Sequence, residues 1–463
     1  MLIDEFIYQA TQELGVVPTE GQREVLEVCS RFLSDRNPNS VMLLRGSAGT
    51  GKTSLAAALV RTMKRWKQKT MLLAPTGRAA KVFSLYSGSP AFTIHRCIYR
   101  QRSVEGGFNL NYNSHSDTLF IIDEASMIST DVLPDLIHYV HSGTNCRMLV
   151  IGDNAQLPPV GEAESAALVT QYYRDCFLNT YEADLNEVLR QSNSSGILWN
   201  ATMLRSVTEL PLIRFHGFAD IHVVTGDELI ETLASSYSHV GIDETMVITR
   251  SNKRANIYNV GIRNTILDRE EELSRGDQLM IVKNKYLKKP LSSTDNGGNQ
   301  LGTFIANGDR AVVQRVRNIR ELYGFRFADV AMTFPDYDDS DFQTTVILDT
   351  LCSEAPALTP QQSTQLFNAV LDDYADLPTK GERLKQLRED EYYNAMQVKY
   401  GYAVTCHKAQ GGQWAHVYVD QGFMTDDMLS PDYFHWLYTA FTRATEQLYL
   451  VNWPKTQIEG YSE

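Results

Sequence analysis

Gly46-Ser47-Ala48-Gly49-Thr50-Gly51-Lys52-Thr53 is the stretch of this 463-residue chain whose residue types and spacing point most directly to chemistry. Three glycines free of Cβ let successive backbone N–H groups turn inward, and a lysine and a hydroxyl follow at once. The stretch follows the apolar run Val41, Met42, Leu43, Leu44 and leads into Ser54-Leu55-Ala56-Ala57-Ala58-Leu59. Strand, tight loop and helix are therefore expected in that order, which is the context of a P-loop. The helix start adds positive potential for a polyphosphate. The expected nucleotide-binding set is Gly46, Ser47, Ala48, Gly49, Thr50, Gly51, Lys52, Thr53 and Ser54, with Lys52 on the β and γ phosphates and the Thr53 hydroxyl on Mg²⁺. The competing reading is a glycine-rich helix cap, and the correct flanks favour the P-loop.

Other chemistry-bearing residues follow apolar runs in the same way. Leu119–Ile122 ends in Asp123-Glu124-Ala125-Ser126, so a buried strand delivers two carboxylates to the edge of a sheet. Asp123 is expected to hold Mg²⁺ through water and Glu124 to orient or deprotonate the attacking water. Met148–Ile151 runs into Gly152–Gly161, where Gln156 is an uncharged candidate for sensing a γ phosphate and Pro158-Pro159 stiffen the loop. Pro75 and Gly77 turn the chain after Thr70–Leu73, which leaves Thr76 at a ligand-side strand end, within reach of a phosphate backbone. Gln22 precedes the P-loop strand and is either an adenine reader or a solvated helix residue. Arg190, after Leu185, is expected to reach across a cleft. Arg443, beyond a turn of aromatics, is expected to act in trans on the nucleotide.

These residues need a scaffold larger than one core, and 463 residues make two or more domains the expectation. A composition of 43% hydrophobic and 21% charged residues is that of an ordinary globular chain. The acidic start and the lack of a bilayer-length apolar run argue against a signal peptide and a membrane span, so a cytoplasmic location is expected. Six scattered cysteines without C-x-x-C spacing argue against a disulfide framework or structural zinc. A net charge of −13 is unusual for a nucleic-acid partner, but 14 acids against four bases between Asp329 and Ala395 supply −10 of it. A basic groove on the near-neutral remainder stays possible.

Residues 1–40 are read as helical, and residues 93–117 as a small irregular insertion. A second strand-then-helix series starts at Met246–Thr249 and Ser251, and resumes at Tyr402 with strands at Val417–Val419 and Leu448–Val451. Between the two parts lie short β-like pieces from Gly276 onward, with Asn307-Gly308 as a hairpin signal, and an acidic helical stretch near residues 366–394. The domain limits on this reading are 1–205 with an insertion at 96–117, then 206–275 joined to 396–463, and an inserted unit at 276–395.

By Tyr402 the motifs Gly46–Thr53, Ala74–Ala80, Thr93-Ile94-His95, Ile121–Ser126, Gly152–Gly161, Leu185–Gln191, Thr405–Gly411 and Tyr438–Ala444 stand in one order. In that order the chain resembles the superfamily 1 helicases of the 5′-to-3′ group, Dda and RecD branch, over roughly residues 20–450. The resemblance implies an α/β fold of two RecA-like P-loop NTPase domains sandwiching ATP, a small inserted hairpin domain and an inserted SH3-like β domain. It implies that Gln156, Arg190, Gln410 and Arg443 report or neutralise the γ phosphate and that Gln22 reads adenine. Thr76, Thr93, His95, Thr405, His407 and Lys408 would line a single DNA strand, the partner being DNA with a 5′ single-stranded tail and the enzyme a monomer. An RNA-directed helicase and an ATP-driven clamp that does not unwind are the rival readings.

Overall fold

Val41, Met42, Leu43 and Leu44 are wholly buried, as a strand covered by helices on both faces must be. The computed structural model describes residues 3–101, 108–187, 194–206, 211–287, 304–335, 340–424 and 428–460. Within it, six parallel strands form a first sheet in the order 91–93, 69–74, 118–122, 147–152, 40–46, 179–185. The P-loop strand Ser40–Gly46 thus has Arg147–Gly152 on one side and Asn179–Leu185 on the other. Parallel pairing sets the C-terminal ends side by side, so the loops after Gly46, Ile122 and Gly152 open onto one edge. The early helices are Ile3–Leu14 and Glu20–Ser34. The second is capped by a reciprocal pair from Thr19 and Gln22. Its last carbonyls receive the Arg147 guanidinium at Phe32, Leu33 and Asp35.

A second parallel sheet has the order 403–405, 245–249, 414–420, 444–451, 221–224. Ile221–Val224 and the helix Leu229–His239 were not read from the sequence. The helix Pro431–Phe441 fills the crossover before Ala444–Val451.

Between these sheet halves the chain forms a closed five-stranded barrel from Gln278–Ile281, Arg310–Leu322, Phe325–Phe334, Ser340–Ile347 and Met396–Tyr400. The last strand corrects the boundary drawn at residue 396. Val398–Tyr400 pairs antiparallel with Leu279–Ile281 and Met396–Gln397 parallel with Val346–Ile347, so the barrel runs to Tyr400. Nor is Asn307-Gly308 a hairpin. Phe304–Ile305 pairs with Lys285–Tyr286, while Arg310 pairs with Met280, and the dipeptide turns a corner closed by Asp309 Oδ2 on the Ala306 N–H at 2.7 Å. The helices Pro360–Asp372 and Lys380–Glu389 carry the acidic stretch and cover Phe325, Phe327 and Ile347 at one end of the barrel. Residues 336–339 lie outside the described residues.

Barrel and second sheet share one core, in which Leu279, Val313, Val330 and Phe334 pack with Val247, Tyr402 and Tyr418. Asp277 pins the joint. Its carboxylate, fully buried, accepts from Arg263 at 3.0 Å, Arg269 at 2.8 Å, the Tyr402 hydroxyl at 2.8 Å and the Ser274 N–H at 2.7 Å. Burial alone would raise its pKa, but these donors hold it below the usual carboxylate value. The stability this confers is present above the unfolded carboxyl pKa and is lost as pH falls through the depressed folded value. Asp277→Ala strands two guanidinium groups, so urea denaturation at pH 7 should show a loss of about 3–5 kcal/mol, a difference that shrinks towards pH 3.

Candidate nucleotide cleft and strand channel

Gly46 ends its strand where a Cβ would sit 2.8 Å from Leu185 Cβ, 3.0 Å from Thr50 Oγ1 and 3.1 Å from Lys52 Cγ. A side chain there has no room. Gly49 and Gly51 adopt φ of 76° and 82°, the left-handed region that glycine enters without strain, and Gly51 starts the helix Lys52–Arg65. Lys52 Nζ donates to the carbonyls of Gly46 at 2.6 Å and Ser47 at 2.8 Å and stands 3.6 Å from Asp153 Oδ2. The Ser47 hydroxyl is buried without a hydrogen-bond partner. Thr53 follows on the first helical turn, half-buried, and Ser54 is exposed.

Asp123 leaves the strand Thr118–Ile122, and its N–H donates to Leu73 O at 3.0 Å. Its Oδ1 accepts from the Glu124 N–H at 2.9 Å. Glu124 itself has φ 52°, a strained conformation for a side-chain-bearing residue. Burial and the Glu124 carboxylate push the Asp123 carboxyl up to about 7, against the Glu124 N–H and the Lys52 ammonium. Two adjacent carboxyl groups thus stand at the end of this strand, with the Lys52 ammonium near enough to act on Asp123. Gln156, buried, accepts from the Ser126 hydroxyl at 3.4 Å, which links the carboxylate loop to the Gly152–Gly161 loop.

Gln22 does not point freely into the cleft. Its Oε1 accepts from the Thr19 N–H and its Nε2 donates to Thr50 O at 3.3 Å, so it braces the P-loop from below. Arg443 is buried and its guanidinium bonds Thr439 O, Gly412 O and Thr442 Oγ1, all within the second half. The structure does not bring it onto Lys52. Arg190 lies outside the described residues. Gln410 does cross between the halves, donating to Leu157 O at 2.7 Å.

Beside it, the Thr439 hydroxyl accepts from the Leu157 N–H at 2.8 Å, and His435 Nδ1 lies 2.9 Å from Ala155 O. The Tyr438 hydroxyl accepts from the Ala48 N–H at 2.7 Å and donates to Asp153 Oδ2 at 2.6 Å. Tyr438, Thr439 and His435 were not singled out from the sequence. In the sequence that stretch reads as a turn of aromatics before Arg443 and as part of the Tyr438–Ala444 motif, and the partners, three backbone groups and the Asp153 carboxylate, carry no local signal.

A cavity of about 390 Å³ is lined by Thr76, Thr93 and His95 from the first half, by His407, Lys408 and Gln410 from the second, and on a third side by the barrel. Five of the six residues expected to contact a strand therefore meet. Thr405, at the end of its strand, is not in the lining. The Thr76 and Thr93 hydroxyls also cap helices, accepting from Ala79 N and Arg96 N. The barrel wall was missed. It brings Met280, Asn284, Asn307 and Gly308 to the cavity and packs its Asp309 corner so closely on Gly77 that a Cβ there would sit 2.3 Å from Asp309 Oδ1. The insertion is partly a hairpin, Tyr99–Gln101 against Phe108–Leu110, and its tip at 102–107 lies outside the described residues.

Two parallel α/β sheets meeting at a P-loop define the class as a two-lobed P-loop NTPase. Comparison with known proteins narrows this. Residues 19–209 match the AAA domain model and residues 400–451 the UvrD-like helicase C-terminal domain model. The chain is 23% identical over 417 residues to the ATP-dependent DNA helicase dda of Enterobacteria phage T4, covering 85% of this chain and 90% of that one. It is 24% identical over 397 residues to the ATP-dependent DNA helicase Pif1 of Campylobacter jejuni, with 80% of each chain covered. In fold it is like a Pif1 helicase from Bacteroides solved with ADP-AlF3 and ssDNA, at a TM-score of 0.51 and 14% identity over 96% of this chain and 94% of that one. Along both halves, then, the chain is similar to the Dda and Pif1 group of superfamily 1 helicases. Among the described residues no helix is long and apolar enough to cross a membrane.

The cavity also carries a titration. Burial, with Lys399 adding repulsion, lowers the Lys408 ammonium to about 8, so its charge is complete below neutral pH and fades as pH rises. Oligonucleotide affinity measured by fluorescence anisotropy should weaken by about tenfold from pH 7 to 9, if binding restores an ordinary lysine pKa. Lys408→Met should flatten that slope and bind more weakly at pH 7.

Proposed function

We propose that this chain is an ATP-dependent DNA helicase that moves 5′-to-3′ along single-stranded DNA and separates duplex ahead of it. What carries the reading is the convergence on one cavity of strand-contact candidates from both halves, one loop away from a P-loop that the second half also touches. The close packing around Gly46, the left-handed Gly49 and Gly51 and the unpartnered Ser47 hydroxyl fit a polyphosphate cradle. Asp123 and Thr53 would hold Mg²⁺, which when bound offsets phosphate charge. In this reading the halves are RecA-like domains with limits near those drawn from the sequence, and the barrel is an SH3-like insertion that covers the strand.

Lys52 would exchange its loop carbonyls for phosphate oxygens, and Glu124, aimed by its left-handed turn, would orient the attacking water and take its proton. Gln156 and Gln410 sit on the two sides of the Leu157 contact, so a change at the γ position reaches both halves at once. Arg443, and Arg190 from its own loop, would supply positive charge as the cleft closes. For Arg443 that requires leaving its present carbonyl partners. Closing and opening would then alternate the grip of Thr76, Thr93 and His95 with that of Thr405, His407 and Lys408, acting as a monomer.

Unwinding of forked DNA should need ATP and a 5′ single-stranded tail. Equal unwinding from a 3′ tail would overturn the polarity, and strand-stimulated hydrolysis without any unwinding would favour a clamp. Arg443→Ala should lower strand-stimulated hydrolysis by about 10³–10⁵-fold while a fluorescent ATP analogue still binds. Near-normal turnover would remove the arginine from the mechanism.

A further inference from the structure

Tyr438 makes a contact that the mechanism above does not use. It is 1% exposed and belongs to the second half, yet its hydroxyl accepts from the N–H of Ala48, the third residue of the P-loop, 390 positions away in sequence. The same hydroxyl donates to Asp153 Oδ2, the oxygen that faces Lys52 Nζ at 3.6 Å. The other Asp153 oxygen holds the Ala155 N–H at 3.0 Å, and the Ala155 carbonyl meets His435 on the Tyr438 helix. One phenol therefore joins the P-loop backbone, the Gly152–Gly161 loop and the helix that leads to Arg443.

We propose that Tyr438 is a positioning residue for nucleotide hydrolysis, setting where the Arg443 helix stands relative to the P-loop through its paired bonds to Ala48 and Asp153. The inference rests on the helicase reading and deepens it. When Lys52 turns to phosphate it leaves Asp153 Oδ2, and a buried carboxylate near incoming phosphate charge needs another donor. Tyr438 is that donor. Burial and the Asp153 charge hold its hydroxyl well above the ordinary tyrosine pKa, so its proton stays on at any working pH. While that bond lasts, the helix cannot move away from the P-loop without also dragging the Gly152–Gly161 loop. Thus phosphate at Lys52 and arginine placement become one event rather than two.

Tyr438→Phe keeps the ring and deletes both bonds. In steady-state ATPase assays with saturating single-stranded DNA, kcat should fall about ten- to a hundredfold, the size of one charge-assisted hydrogen bond. KM for ATP should stay within about threefold, because Lys52 and the loop N–H groups still bind phosphate. The melting temperature should fall by no more than a few degrees, the cost of leaving the Ala48 N–H and an Asp153 oxygen without the phenol, so a kcat loss measured well below the transition separates positioning from unfolding. Asp153→Asn combined with Tyr438→Phe should lower kcat by less than the product of the two single losses, because the two changes share the Tyr438–Asp153 bond. A kcat near wild type for Tyr438→Phe, a rise in KM alone, or losses that multiply in the double variant would each overturn the role. A wild-type chain that fails to hydrolyse ATP with DNA would instead remove the helicase reading, and this inference with it.

Discussion

The molecule depends on a seam in which the helix Pro431–Phe441, together with Gln410 just after the short helix Cys406–Ala409, presents polar side chains to the backbone of loops from the other half of the chain. Thr439 takes the Leu157 N–H, Gln410 fills the Leu157 carbonyl, and Tyr438 takes the Ala48 N–H. Each bond is between a side chain and a backbone group at a buried site. Shifting the halves apart exposes or strands those groups, at a cost of about 1–3 kcal/mol for each one left buried and unpaired. The apolar contact beside these bonds is small on the first half's side, Leu157 with Ala48 and Ala155 against the second half's core, so the seam is firm in one arrangement and can still exchange into another.

The barrel follows a different logic. It is threaded into the second half between Gly261 and Tyr402 and shares its apolar core, with Asp277 and Tyr402 locking the entry and exit strands together. It should therefore move with that half as one body. Against the first half its contacts among the described residues include a bond from Lys81 to Pro335 O and the close packing of the Asp309 corner on Gly77. The cavity is thus walled on two sides by parts that travel together and on the third by one that does not. That asymmetry is what a groove needs if it is to hold a polymer and shift along it.

Backbone strain also occurs where chemistry is expected. Glu124 is held at positive φ between the strand end and the turn Ala125–Met127, and the P-loop relies on two left-handed glycines. The central strands of the first sheet, Ser40–Gly46, Thr118–Ile122 and Arg147–Gly152, are regular and almost wholly buried, so the rigid part of the fold bears the cost of the strained Glu124 turn.

From the sequence alone, the strands and the loops that follow them were legible. Val41–Leu44, Leu119–Ile122 and Met148–Ile151 are apolar runs of strand length that stop at glycine, acid or proline, and such patterns are local. Parallel pairing then requires those loops to share an edge, which is why Lys52, Asp123 and Gln156 could be grouped before any coordinates. Only the tertiary structure decided the rest: that Asn307-Gly308 turns a corner, that Met396–Tyr400 closes the barrel, that Arg443 is tied to its own carbonyls, and that Tyr438 sits on Ala48. Those outcomes depend mostly on contacts between residues tens to hundreds of positions apart, made by strand pairing or by side chains to backbone atoms. No periodicity or residue spacing encodes which carbonyl or N–H a distant side chain will reach.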